Sequence, residues 1–96
     1  MTDPAADPRV QELRGAISAA DGEILAAVNR RLGLVEQMFA HKRAMGYPIL
    51  DAGRETALVA ELQSVNAGPL SGEGVAELVA FVLDLAKREV ARQGGS

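Results

Sequence analysis

The residues in this sequence best suited to chemistry are cations that interrupt an apolar helical seam. Val10, Leu13, Ile17, Ala20, Ile24, Val28, Val35 and Met38 keep close to heptad spacing, and the same line passes through Arg31 and reaches Lys42. At about 100° per residue, Arg31 and Lys42 differ by about 20° in heading and stand about 16 Å apart along the helix axis. Unpaired cations on an apolar face are costly, so the pattern calls for an anion between them. Arg14 borders the seam one residue after Leu13. It lies about 25 Å from Arg31, too far for both to hold one small molecule within a chain. Symmetry removes the difficulty. If two copies of the helix run antiparallel about a two-fold axis near residue 25, Arg14 of one chain faces about residue 36 of the other, midway between Arg31 and Lys42.

A second group follows. Asp51, Glu55, Leu58 and Leu62 fall at i, i+4, i+7 and i+11, which sets two carboxylates in line with an apolar stripe, and Arg54 borders that face. A pocket made from Arg14 of one chain with Arg31, Lys42, Asp51, Arg54 and Glu55 of the other is cationic with a local acceptor. It suits a compact dianion that also carries a hydroxyl or an amine. Each residue also has a plainer reading. Arg and Lys stems snorkel along apolar surface, Asp51 caps a helix, Glu55 beside Arg54 makes a surface pair, and His41 is a partly exposed helix residue.

Composition narrows the chemistry. With no Cys there is neither a disulfide nor a thiolate nucleophile or ligand, and a single His leaves any Ser-His-Asp arrangement resting on His41. Ten Lys plus Arg against 13 Asp plus Glu, and only three aromatic residues, argue against nucleic-acid binding, which normally needs a basic excess and stacking platforms. No apolar run approaches a membrane span, and Met1 to Asp7 are acidic and contain Pro where a secretory signal is basic and then apolar, so a cytoplasmic location is expected.

The elements that must position these residues are helices. Asp7-Pro8 supplies a cap and a first-turn Pro, and nothing stops the pattern before Gly46-Tyr47-Pro48, so a first helix is expected from about Pro8 to about Met45. Asp51 is expected to cap a second helix carrying Leu58, Leu62 and Val65, which ends near Asn66-Ala67-Gly68-Pro69. Ser71 opens a third, with Val75, Leu78, Val79, Val82, Leu83 and Ala86 as its stripe. The expected organisation is a tail over 1–7, one helical domain over 8–92 and a flexible tail over 93–96. A first helix of about 57 Å exceeds what a folded monomer of this size covers, and so small a domain is marginal alone, so an intertwined homodimer is expected.

Taken together, these segments resemble the all-helical chorismate mutase family of the AroQ type. Leu13-Arg14-Gly15-Ala16-Ile17-Ser18-Ala19-Ala20-Asp21 is similar to the family's opening segment, and Asn29-Arg30-Arg31 to its second arginine segment. Lys42 followed by Gly46-Tyr47-Pro48-Ile49, and Asp51-Ala52-Gly53-Arg54-Glu55, supply the rest. The resemblance covers about Leu13 to Leu85. It implies an all-α, three-helix chain in an intertwined homodimeric bundle that converts chorismate to prephenate by a [3,3] sigmatropic rearrangement in the shikimate pathway, with no cofactor and no metal. It implies that Arg14 of the partner chain and Arg31 bind the two substrate carboxylates, that Lys42 lies against the ether oxygen and a carboxylate, that Arg54 adds positive potential, and that Glu55 with Asp51 contacts the ring hydroxyl. Arg31, Lys42 and Glu55 are thus the catalytic candidates.

The third helix departs from the family. Aligning its apolar stripe puts Ala86 where a Ser helps hold a carboxylate and Val90 where a Gln or Glu donates to the ether oxygen, so both are candidate site-lining positions that lack the usual donors. A register shifted by one residue brings Glu89 to the second position but misplaces Val75, Val79 and Val82. Several readings stay open at this point. One is a modest mutase with Lys42 as sole ether-oxygen donor; some short family members are activated by complex formation with the first enzyme of the shikimate pathway. Another is a mutase for 4-amino-4-deoxychorismate, whose amine meets Asp51 and Glu55. An isochorismate-pyruvate lyase and a non-catalytic helical dimer complete the set.

Overall fold

A computed structural model describes residues 3–94 of the chain. Three helices follow a short 3-10 turn at Pro4–Ala6: α1 (Pro8–Met45), α2 (Arg54–Val65) and α3 (Gly72–Gly94). No strand occurs among the described residues. Met1 and Thr2 of the expected N-terminal tail, and Gly95 and Ser96 of the expected C-terminal tail, lie outside the described residues; Gln93 and Gly94 belong to α3.

The ends of α1 follow from local chemistry. Asp7 accepts the Arg9 N–H at 2.9 Å through Oδ1, and its carbonyl takes the Gln11 N–H at 3.1 Å, so the cap and the first helical bond come from one residue. At the other end Gly46 adopts φ +71°, the left-handed conformation that glycine enters without a Cβ penalty. Tyr47 N–H then donates to the Lys42 carbonyl at 2.9 Å and Gly46 N–H to that of Arg43 at 3.3 Å, the paired bonds of a Schellman stop.

The chain divides into two compact units, 1–33 and 34–96. In the first, the described part of α1 contains no buried residue, and Leu13, Ile17, Ile24 and Leu25 of its apolar side are all exposed, Ile24 by 62%. In the second, α2 packs on α3 around Val75, Val79 and Ala86, the buried apolar residues of the core, with Val82 and Leu83 half-buried. The α3 stripe therefore runs largely as its spacing requires. Leu78, also expected in it, is half exposed. On α2 the buried side is narrower than expected: Leu58 and Val59 are half-buried, whereas Leu62 and Val65 face out. Hydrogen bonds from the Gln63 side chain to the Gly72 carbonyl (2.8 Å) and from the Asn66 side chain to the Leu70 carbonyl (2.7 Å) close the α2–α3 turn. Ser71 Oγ caps α3 by accepting the Gly74 N–H at 3.0 Å.

Asp51 does not cap α2. Its Oδ1 accepts the Gly53 N–H at 3.2 Å and its carbonyl accepts the Arg54 N–H at 3.2 Å, so the residue builds a turn of its own and the helix begins three positions later behind Gly53. The reason is chemical: an Asp side chain reaches the N–H two residues on as readily as a helix end.

Val79 is 2% exposed at the α2–α3 contact. Val79→Ala removes two buried methyl groups from a small core, and a loss of about 2 kcal/mol is expected in urea unfolding. The same change at the half-exposed Leu78 should cost clearly less.

Candidate active site

In the second unit Lys42 is tied to Ile49, in the loop that leads through Asp51 to Arg54 and Glu55. Lys42 sits in the last turn of α1 and is half-buried, while His41 and Arg43 on either side are exposed. Its Nζ donates to the Ile49 carbonyl at 3.2 Å. Spacing on α1 singles out Lys42 but says nothing of this bond, because the acceptor is a backbone atom of the loop. Tyr47, at the start of that loop, meets the His41 ring edge-on with centroids 6.2 Å apart.

Asp51, Arg54 and Glu55 follow within five residues, all exposed. Glu55 occupies the first turn of α2, where the positive end of the helix favours a carboxylate. The Asp51 turn sets the direction in which the chain enters α2, so the two carboxylates are positioned by one short hydrogen-bonded segment.

Arg14 and Arg31 belong to the first unit and share α1; Arg14 is exposed and Arg31 half-buried. Among the described residues the ion pairs are Arg9–Glu12 (3.0 Å), Asp84–Arg88 (2.9 Å) and Glu89–Arg92 (2.8 Å). None involves Arg14, Arg31, Lys42, Asp51, Arg54 or Glu55. Among the described residues the candidate cations therefore make no ion pair, and Arg31 is half-buried without a carboxylate partner.

On α3, Ala86 is buried and Val90 half-buried, each offering only hydrocarbon. Val75 and Val79 are buried, Val82 is half-buried, and Glu89 is engaged with Arg92. A groove of about 390 Å³ in the second unit is lined by Glu36, Phe39 and Arg43 of α1 with Val90 and Gln93 of α3. Of the candidate site residues it takes in Val90 alone. Gln93 enters it one helical turn beyond Val90, a position that the i+3 spacing marks once α3 is known to continue that far.

A sequence profile described as chorismate mutase type II matches residues 13–90, which span α1 from Leu13 onward, all of α2 and most of α3. The chain belongs to this family. Two solved structures of chorismate mutase from Thermus thermophilus are similar to it, each at 28% identity. Form I has a TM-score of 0.77 and the match covers 81% of this chain and 98% of that one. Form II has a TM-score of 0.78, with 83% and 91% covered. Curated proteins give no significant match. All six polar site candidates of this chorismate mutase family member, from Arg14 to Glu55, fall within the matched residues, as do Ala86 and Val90.

Proposed function

We infer that the chain is an isomerase that converts chorismate to prephenate. The observation that carries this reading is the family match over residues 13–90, which takes in every charged residue needed for a dianionic substrate. In the [3,3] rearrangement an ether C–O bond breaks as a C–C bond forms, with no covalent intermediate on the enzyme. What the protein has to supply is restraint of the diaxial conformer, so that the reacting carbons meet, and positive charge where the ether oxygen becomes negative.

The residues divide this work. Arg31 and Arg14 of a partner chain hold the two carboxylates, and Lys42 places its ammonium against the ether oxygen and one carboxylate. Glu55 and Asp51 accept from the ring hydroxyl, and Arg54 raises the local potential. The site is completed by a homodimer in which two copies of α1 run antiparallel. The exposed Leu13, Ile17, Ile24 and Leu25 support that assembly, since α1 leaves them without cover in a single chain. Because α3 presents Ala86 and Val90, Lys42 is the one donor to the ether oxygen, which suits a mutase of modest rate. An activating complex with the first shikimate-pathway enzyme belongs to the same reading, as does a cytoplasmic location.

The test is incubation of the purified protein with chorismate, isochorismate and 4-amino-4-deoxychorismate separately, following substrate loss and product identity. Chorismate is expected to disappear with prephenate as the product. Consumption of the amino compound alone would replace this reading by that of an aminodeoxychorismate mutase.

A further inference from the structure

Lys42 is held to the loop that follows it at two points. Its carbonyl accepts the Tyr47 N–H at 2.9 Å, and its ammonium donates to the Ile49 carbonyl at 3.2 Å, so backbone and side chain of one residue grip opposite ends of the segment 47–49. The bend that brings Ile49 back to the ammonium depends on Gly46 at φ +71°. Both Lys42 and Ile49 are half-buried, which shields the contact from water, whereas Leu50 beyond it is 81% exposed.

We propose that the Ile49 carbonyl, aimed by the left-handed turn at Gly46, is the positioning group for Lys42. The proposal deepens the mutase reading and rests on it for the identity of the substrate. An ammonium carries three N–H donors. One is spent on Ile49, which leaves two for an ether oxygen and a carboxylate oxygen. A lysine otherwise samples many rotamers, and the freedom removed by the loop before substrate arrives does not have to be removed in the transition state. The same bond explains how a site with a single ether-oxygen donor keeps that donor in place.

Gly46 offers one lever. A Cβ added there meets nothing within 4 Å, so Gly46→Ala acts through the left-handed backbone alone and not through a clash. Gly46→Asn is the conservative partner, because Asn tolerates that conformation. The Ile49–Leu50 amide is the second lever. Replacing Leu50 by its α-hydroxy analogue makes this link an ester, whose carbonyl is a weaker acceptor, and keeps every side chain. Among the described residues the Leu50 N–H makes no hydrogen bond that this change removes.

With chorismate as substrate, Gly46→Ala and the ester protein are each expected to lower kcat about ten-fold with KM within about two-fold, because the cation is aimed at charge that grows only in the transition state. Gly46→Asn should stay within about two-fold of the parent in both constants. The second readout is the Lys42 NH3+ resonance in 15N-lysine NMR of the unliganded protein. It is expected to be sharp and slow to exchange in the parent and in Gly46→Asn, and broadened in Gly46→Ala and the ester. Equal kcat for the ester and the parent, or a Lys42 resonance in the parent as mobile as that of the exposed Lys87, the other lysine of the chain, overturns the proposal. A parent protein with the sharp resonance that leaves chorismate unchanged overturns the mutase reading instead, so the two failures are separable.

Discussion

Lys42→Ala and Arg31→Ala are each expected to lower kcat/KM for chorismate at least about a thousand-fold, close to 4 kcal/mol of transition-state stabilisation. Removing one donor from a site that stabilises a developing oxyanion typically costs about a hundred- to a thousand-fold. Here the upper end applies to Lys42, because Ala86 and Val90 on α3 carry nothing that takes over. Arg31 reaches the same range by a different route. It is half-buried with no carboxylate beside it, so its guanidinium is available for a two-pronged grip on a substrate carboxylate, and losing that grip weakens both binding and alignment. The folds of both variants should persist. Ala is the best helix former, and Lys42 gives up one hydrogen bond to Ile49, worth about 1 kcal/mol. Initial rates, together with circular dichroism and the mass in solution, decide the matter. A variant that keeps more than a tenth of the parent activity places the cations outside the site and favours a helical dimer that serves only as an interaction module.

Mixing Arg14→Ala with Arg31→Ala should bring activity back. Each protein alone is expected to be inactive, because in a site shared between two chains every copy lacks one arginine. In a heterodimer one site collects both lesions and the other collects both intact residues. After unfolding and refolding at equal concentrations, half the dimers are mixed and half their sites are intact, so about a quarter of the parent activity is expected. The measurement is rate against mixing ratio, with differently tagged chains to count the heterodimers. Demonstrably mixed dimers without recovery would falsify the shared site and put Arg14 among ordinary exposed helix residues. Recovery near a quarter is difficult to reach by any route that does not cross the two-fold axis.

The two experiments test features that the sequence carries very differently. The bounds of α1 are legible because they rest on local chemistry: Asp7 reaches the Arg9 N–H two residues on, and Gly46 enters the left-handed region that stops the helix. The opening of α3 at Ser71 has the same origin. The candidate residues are legible as well, since charges at helical spacing on an apolar stripe are visible without coordinates, and the family segments run through the same positions. Asp51 departs from its expected role for a related reason. The preferences of Asp for a helix cap and for a turn of its own are both local and nearly equal, and the adjoining Ala52-Gly53 lets the turn win.

By itself, then, the amino-acid order determined three helices, the limits of the first and the family, and it proposed a set of charged candidates, because capping, periodicity and motif spacing act over a few residues at a time. Only the tertiary structure decided that Lys42 is tied to the Ile49 carbonyl, that the α2 face turns toward Val59, and that Val90 shares a groove with Phe39 and Gln93. Each of these depends on where a loop or a second helix comes to rest. A backbone carbonyl has no identity in the sequence, and the facing side of a short helix is chosen by its neighbour's shape as much as by its own apolar residues.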